Sequence, residues 1–273
     1  MRRLLGKITL RGTGLHTGLE TELSIEPCDS PHIMMSLRGE EMPLHMLKCE
    51  GVRRSSDYVF PSGQVLRTCE HVLSALCGTG IYSGVRVSAN GGEMPALDGC
   101  AKTLCAEILS HSVIDGKDIP RVKISSPVIV SNDDMTRFVC AFPADEFHIT
   151  YAAEYDTVGT QIYDFRGSDD YAADIAPART FAYEREIEYL RSHGMALGGS
   201  LDNAVLIGED RIIASGGLRW PDEFVRHKIL DLIGDLASVG FPLNAHIIAV
   251  RAGHELHLKL ADKLKGEMNI GRD

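Results

Sequence analysis

A polar segment near the middle of the chain separates two halves in which strands and helices are predicted in the same order. The segment, HSVIDGKDIP at 111–120, contains Gly and Pro and precedes a new apolar strand. Domain boundaries fall in segments of this kind, so we predict one domain over residues 1–118 and a second over residues 119–273. Strands followed by helices, twice over, predict an α+β fold of two similar domains, each a β-sheet layered against two helices.

In the first half, alternating apolar and polar residues predict short strands, and one apolar stripe predicts a helix. The helix covers 68–76, with Thr68 as its N-cap and Gly78 as its stop. The glycine-rich segment GTGLHTG at 12–18 separates the first two strands and is explained by a hairpin turn. Strands are predicted at 7–10, 20–25 and 82–87, and a second helix at 98–109.

The longest predicted helix lies in the second half, at 221–238. Pro221 suits its first position, and the acidic Asp222 and Glu223 suit the positive end of the helix dipole. The other elements predicted in this half are strands at 121–130, 136–142, 147–154, 203–207 and 246–250, and helices at 184–192 and from about 254.

Composition disfavours several classes of function. The net charge of −10, from 28 basic and 38 acidic residues, argues against general nucleic-acid binding. The seven cysteines are odd in number and form no CxxC pair, which fits neither a disulfide framework nor a thiolate metal site. No apolar stretch approaches the roughly 18 residues of a membrane span. We therefore expect a cytoplasmic monomer without an integral membrane segment.

The longest helix carries three polar residues that can act in chemistry. His227, Asp231 and Asp235 are spaced by four, so they share one face. Gly234 lies close to that face and would allow another backbone to approach. Taken alone, this spacing more often marks a solvated helix face than a metal site.

A second helix adds Glu70 and His71 beside its apolar stripe. Hydrolytic zinc sites use three nitrogen or oxygen ligands, with a carboxylate nearby to accept a proton from water. His71, His227 and Asp231 would form such a set with Glu70 as the base, although sequence alone does not show that the two helices meet. The alternative for His71 is a histidine that contacts backbone at a helix start.

Two histidines lie near the start of the last predicted helix. The helix dipole would lower the pKa of His254, whereas a carboxylate such as Asp235 would raise it. Their balance would leave His254 able to donate a proton near neutral pH. We interpret the nearby His257 as a surface histidine.

Six blocks of the sequence occur in an order known from one enzyme family. Through them the chain resembles, from residue 7 to about residue 259, the UDP-3-O-acyl-N-acetylglucosamine deacetylases, the zinc amidases of lipid A biosynthesis. The blocks are GTGLHTG (12–18), TCEHVLSAL (68–76), EMPALDGCA (93–101), ARTFAYEREIEYLRSHGMALGGSLDNA (178–204), DEFVRHKILDLIGDL (222–236) and AGHELHLKL (252–260).

The resemblance implies a metal centre and a base. His71, His227 and Asp231 would bind Zn²⁺, and Fe²⁺ also suits two imidazoles with one carboxylate. Glu70 would be the general base. The hydroxyl of Thr180 would donate a hydrogen bond to the developing oxyanion.

The resemblance also implies a proton donor and groups that bind the sugar. His254 with Asp235 would protonate the leaving amine. Lys228 would be a substrate-binding cation, and Phe181 and His16 would flank the hexosamine.

A β-α-β insert is implied at about 182–207, where it would line an apolar passage for the acyl chain. Ile187 and Leu190 would contribute to this passage. Arg251 and Glu186 are candidates for contacts to the nucleotide side of the substrate.

Together, these features predict zinc-dependent hydrolysis of the N-acetyl group of UDP-3-O-acyl-N-acetylglucosamine to a free amine and acetate. The chain departs from the family near the uridine site, where it reads TYAAE, so Tyr151 is a poor candidate for stacking on uracil. Two alternatives stay open: a related zinc amidase acting on another nucleotide sugar or glycolipid, and a non-catalytic binding module that retains the fold.

Overall fold

The computed structural model describes residues 1–51, 54–116, 119–167 and 169–267 and contains helices and strands in both halves of the chain. The predicted α+β fold class is confirmed. Residue 118, at the predicted boundary, and residues 268–273 lie outside the described residues, so the division into two domains stays a prediction. The helices are α1 (Glu70–Gly78), α2 (Lys102–Ser110), α3 (Tyr171–Asp174), α4 (Ile187–Ser192), α5 (Glu223–Leu236) and α6 (His254–Glu267).

The strands are mostly short, and the longest have eight residues. In chain order they are β1 (Arg2–Leu4), β2 (Ile8–Thr13), β3 (Glu20–Pro27), β4 (Ile33–Leu37), β5 (Glu40–Pro43), β6 (Lys48–Glu50), β7 (Asp57–Val59), β8 (Val65–Leu66), β9 (Val85–Ala89), β10 (Ser112–Ile114), β11 (Val122–Lys123), β12 (Val128–Ser131), β13 (Phe138–Pro143), β14 (His148–Tyr155), β15 (Gly159–Arg166), β16 (Phe181–Tyr183), β17 (Val205–Ile207), β18 (Ile212–Ile213) and β19 (Leu243–Val250).

The two main sheets have the same topology. The first has the strand order β2-β3-β9-β4-β5, and the second has the order β12-β13-β19-β14-β15, with β11 paired to β19 at one end. In each sheet the third and fourth strands are parallel and the other neighbours are antiparallel. One long helix precedes the central strand and another follows it, α1 and α2 in the first half, α5 and α6 in the second.

The hydrophobic core lies between the sheets and these helices. Helix α5 contacts α1, α6 and β14, and nearly all of its residues are buried. Because the helix is covered on so many sides, the polar side chains that it does carry lie in the interior, where each needs a partner. The buried polar residues of α5 are therefore candidates for function.

Several predicted helix starts differ from the structure. Thr68 is not an N-cap, because it lies at φ 57° outside the helix and its hydroxyl donates to Glu93 over 3.1 Å. Helix α5 starts at Glu223, so Pro221 does not occupy its first position. Helix α2 starts at Lys102, because Leu97 and Gly99 hold positive φ angles before it.

The predicted strand at 121–130 is divided into β11 and β12, which pair with different neighbours. Strand β15 and the short strands between residues 33 and 66 were not predicted from the sequence. The β-α-β insert implied at about 182–207 is present, with β16, α4 and β17 forming a unit with parallel strands over 181–207, and β18 adds a third strand to it.

Candidate active site

Helices α1 and α5 bring residues of the two halves together at a glycine. A Cβ atom at position 234 would overlap the carbonyl oxygen of Glu70 and lie 2.9 Å from the Cα of Glu70. Only glycine permits backbones to approach so closely. The approach expected at Gly234 is therefore present, and the partner is the start of α1.

Three side chains predicted as metal ligands converge beside this contact. Nε2 of His227 lies 3.3 Å from Oδ1 of Asp231, and Nε2 of His71 lies 3.8 Å from the same oxygen. One ligand atom from each residue lies within 4.8 Å of the other two. Two imidazoles and one carboxylate directed at one point suit a divalent transition-metal ion.

The protonation of the two imidazoles favours metal binding. Burial and the neighbouring His227 lower the pKa of His71 to about 3, so its ring is neutral. Burial also lowers the pKa of His227. Nδ1 of His227 donates to the carbonyl oxygen of Ala178 over 3.0 Å, which leaves the lone pair on Nε2, facing Asp231.

Glu70 lies next to this ligand set. It is 3 % exposed, and its Oε2 accepts a 2.9 Å hydrogen bond from the backbone N–H of Ser56. Burial raises the pKa of Glu70 to about 8. A carboxyl group with this pKa is mostly protonated at neutral pH, and a divalent cation bound beside it would lower the pKa and leave a carboxylate that can accept a proton from water.

A second buried carboxylate, that of Asp235, is within hydrogen-bond distance of two histidines. Its Oδ2 lies 2.9 Å from Nδ1 of His254 and 2.8 Å from Nδ1 of His257. Burial opposes protonation of His254, but the carboxylates of Asp235 and Asp231 outweigh it and raise the pKa of His254 to about 9. His254 is therefore a proton donor at neutral pH.

The interpretation of His257 as a surface histidine is wrong. Its side chain is fully buried, and its Nε2 lies 3.1 Å from the hydroxyl of Tyr151. The face of α6 that carries His257 packs against the sheet, which the isolated sequence of that helix does not reveal. Tyr151 is itself fully buried, with its hydroxyl 2.8 Å from the carbonyl oxygen of Ala252, so it cannot stack on a ligand.

Ser56, which was not predicted as a site residue, connects the two carboxylates. Its backbone N–H donates to Glu70, and its hydroxyl donates to Oδ1 of Asp235. The same hydroxyl lies 3.4 Å from Nδ1 of His254. No motif surrounds Ser56, so only the fold reveals it.

Glu93 was also missed, although it begins one of the recognised blocks. It is 1 % exposed and accepts hydrogen bonds of 2.7 and 2.9 Å from the backbone N–H groups of His16 and Thr17, and one of 3.1 Å from the hydroxyl of Thr68. This carboxylate fixes the GTGLHTG loop against the start of α1. Because Glu93 is acidic and follows two glycines, its sequence context predicts an exposed turn and not a buried side chain.

A buried ion pair supports the opposite wall of the site. Nε of Arg179 lies 2.8 Å from Oε1 of Glu223, and both side chains are almost fully buried. Arg179 precedes Thr180, and Glu223 is the first residue of α5. The pair therefore connects the segment that carries Thr180 to the helix that carries two of the candidate ligands.

A polar cavity of about 340 Å³ contains most of the predicted site residues. Nζ of Lys228 lies 2.8 Å from Oδ2 of Asp231 and 5.2 Å from the centre of the Phe181 ring. The cavity also contains two cations that were not predicted, Arg54 and Arg137. The predicted residues that line it are Glu70, His71, Thr180, Phe181, Glu186, His227, Lys228, Asp231 and His254.

A second cavity of about 200 Å³ adjoins the first, because Thr180, Phe181 and Arg54 line both. It runs into the β-α-β unit, and most of its other lining side chains are apolar, among them Ile187, Leu190, Ala196, Leu201, Ala204 and Leu206.

Two predicted contacts lie away from the polar cavity. His16 lines the second cavity but not the first. Arg251 lines neither cavity, and its Nη1 lies 3.1 Å from Oε2 of Glu154 on the surface. Arg251 is therefore placed to reach only a ligand that extends beyond the cavities.

The described part of the chain contains no helix long and apolar enough to cross a membrane. An α+β protein that places a buried glutamate beside two imidazoles and a carboxylate, with a cavity at that point, has the architecture of a metal-dependent hydrolase. Residues 2–266 match the model of a family described as UDP-3-O-acyl N-acetylglycosamine deacetylase. The chain belongs to this family.

Curated relatives carry the same description over nearly the whole chain. The UDP-3-O-acyl-N-acetylglucosamine deacetylase of Chlamydia muridarum is 35% identical, with 96% of this chain and 94% of the relative covered. The protein of that name from Syntrophus aciditrophicus is 34% identical over 96% of this chain and 85% of the relative. The one from Myxococcus xanthus is 35% identical over 97% of this chain and 87% of the relative.

Proposed function

We propose that this chain is a zinc-dependent deacetylase that hydrolyses the N-acetyl group of UDP-3-O-acyl-N-acetylglucosamine, an early committed step of lipid A biosynthesis. The observation that carries the proposal is the convergence of His71, His227 and Asp231 beside the buried Glu70. Membership of the family and the names of the relatives support the choice of substrate.

The three candidate ligands fit Zn²⁺. Both imidazoles have lowered pKa values, and the hydrogen bond from His227 to Ala178 leaves its Nε2 free to bind. The same donor set suits Fe²⁺. When bound, the ion supplies a Lewis acid that acidifies water and polarises the amide carbonyl.

The surrounding residues handle the protons. Glu70 takes a proton from the attacking water as the water oxygen bonds to the carbonyl carbon. A divalent cation nearby would lower the raised pKa of Glu70, so that its carboxylate is free to accept this proton. The hydroxyl of Thr180 donates a hydrogen bond to the carbonyl oxygen as negative charge develops there. His254, oriented by Asp235, gives its proton to the amide nitrogen, after which the C–N bond breaks to give acetate and the free amine.

The two cavities divide the substrate between them. Lys228 and Phe181 face the polar cavity and would hold the hexosamine, while Arg54 and Arg137 are cations available to the diphosphate. Glu186 lines the same cavity and pairs with Arg54 over 2.8 Å, so it would orient that cation.

The apolar second cavity would receive the 3-O-acyl chain along Ile187 and Leu190, with His16 at its wall. Because Phe181 and Thr180 line both cavities, an acyl chain seated in the second would fix the acetamide in the first. A contact from Arg251 to the nucleotide stays a prediction.

The proposal is tested by measuring acetate release from UDP-3-O-acyl-N-acetylglucosamine. The metal-loaded chain should release acetate, a chelator should stop the release, and Glu70→Gln should lose about 10²- to 10⁴-fold of the rate while it still binds zinc. Glu107→Gln, at an exposed position of α2, is the control and should keep full activity. No acetate from the metal-loaded wild type would overturn the proposal, and equal release from substrates without an acyl chain would favour a related amidase.

A further inference from the structure

Three side chains with metal-binding atoms meet on the outer face of the second sheet, away from the active site. His148 lies on β14, Asp164 on β15 and His246 on β19. His148 is directly opposite His246 in the parallel β14–β19 pair, and Thr150 is directly opposite Asp164 in the β14–β15 pair. Alternation along β14 turns His148 and Thr150 outward, whereas Ile149 and Tyr151 are buried on the other face.

The cluster is close-packed. The two imidazole rings are stacked, with centroids 3.9 Å apart and planes 5° apart. Nε2 of His148 lies 2.5 Å from Oδ1 of Asp164, and the Thr150 hydroxyl lies 2.7 Å from the same oxygen and 2.9 Å from Nε2 of His246. One ligand atom from each of His148, Asp164 and His246 lies within 4.8 Å of the others.

The charge of the cluster favours a cation. Burial and the neighbouring His148 lower the pKa of His246, so its imidazole is neutral. Hydrogen bonds from Thr150 and His148 outweigh burial and keep the pKa of Asp164 low. Arg166 approaches Asp164 to 3.6 Å, but it also pairs with Glu146 over 3.0 Å, so the two carboxylates outnumber this one guanidinium.

We propose that His148, Asp164 and His246 form a second site for a divalent transition-metal ion of the Zn²⁺ class. Two imidazoles and one carboxylate favour such ions over Mg²⁺ and Ca²⁺, which prefer oxygen. Ligand atoms bound to one Zn²⁺ lie at most about 4.4 Å apart. The two rings are parallel in this structure, so binding one ion requires them to tilt out of the stack and the half-exposed Asp164 to turn toward them. The Thr150 hydroxyl, which contacts Oδ1 of Asp164, then helps to hold the carboxylate in place.

The site is tested by counting zinc bound at equilibrium dialysis to the wild type, His246→Ala and Asp164→Asn. The wild type should hold one equivalent more than either variant, and the variants should bind that equivalent at least about 10-fold more weakly. His111→Ala, which removes an exposed histidine outside the cluster, should bind as much as the wild type. Zinc-edge anomalous diffraction should place the additional ion between the three side chains.

Equal zinc in the wild type and both variants would overturn the proposal, and so would an equal loss in His111→Ala, which would indicate unspecific binding to surface histidines. Asp164→Asn protects the test against misfolding, because this side chain is 48% exposed. The second site is independent of the proposed deacetylase activity: His246→Ala and Asp164→Asn should release acetate at the wild-type rate whichever way the zinc count falls.

Discussion

Replacing Gly234 by alanine sets two physical effects against each other. Alanine in a helix interior is more stable than glycine by about 0.5–1 kcal/mol, so propensity alone predicts a more stable protein. The structure predicts the reverse, because the new Cβ would overlap the Glu70 carbonyl oxygen and lie 2.8 Å from its carbon. Non-bonded carbons prefer about 3.5–4.0 Å, so α1 and α5 must separate by about 1 Å.

This separation should affect both stability and activity. Overpacking of a core costs about 1–3 kcal/mol, which exceeds the gain in helix propensity, so we expect a net loss of about 1–2 kcal/mol in the free energy of unfolding. The movement also shifts Glu70 and His71 relative to His227 and Asp231. A misplacement of about 1 Å at a catalytic site can cost about 100-fold in rate, and we expect that loss in kcat/KM.

Urea unfolding and acetate release measure the two effects, and α6 provides a matched control. Gly266 also lies in a helix, but a Cβ there would meet no atom within 4 Å. Gly266→Ala should therefore leave kcat/KM unchanged and make unfolding no easier. If Gly234→Ala were as stable and as active as Gly266→Ala, the close contact between α1 and α5 would not be what positions the site.

Three further predictions concern the surroundings of the site. Arg179→Met leaves the buried Glu223 without its charged partner, with only backbone N–H donors, so urea unfolding should reveal a loss of about 3–5 kcal/mol; a loss below about 1 kcal/mol would mean that these donors or water replace the guanidinium. His257→Phe removes a donor from Asp235, so kcat should fall while the bound zinc stays constant; an unchanged kcat together with an unchanged pH profile would limit His257 to packing. Substrates with a shortened acyl chain should lose kcat/KM in step with the apolar area that they no longer bury, at about 25 cal/mol per Å², and a constant kcat/KM would place the acyl chain outside the second cavity.

The sequence was informative wherever function depends on spacing within one helix. His227, Asp231 and Asp235 lie on one face because of helical geometry alone, and Gly234 marked that face for a close contact. The sequence could not show that the contact is with Glu70, because two helices about 150 residues apart meet only through the arrangement of the sheets. The resemblance to a family, not periodicity, connected His71 to His227.

The sequence failed where a residue's environment comes from elsewhere in the chain. Thr68 is a residue type that often caps helices, but its hydroxyl donates a hydrogen bond to Glu93 instead of to the helix. Its backbone has a positive φ angle, which places it outside the helix. His257 resembles a surface histidine, yet Asp235 and Tyr151 bind it in the core. In each case the deciding partner lies at least 20 residues away, beyond the reach of local pattern.

The matching topology of the two sheets explains why the site lies where it does. Helices α1 and α5 occupy equivalent positions, each before the central strand of its sheet, and they pack directly against one another. The proposed base and one candidate ligand come from α1, the other two candidate ligands come from α5, and the proposed proton donor starts α6. A metal ion bound there would hold the equivalent helices together, so its binding energy would add to the stability of the contact at Gly234. Metal binding and the packing of α1 against α5 are therefore thermodynamically linked, so a substitution that loosens this contact, such as Gly234→Ala, should also weaken metal affinity.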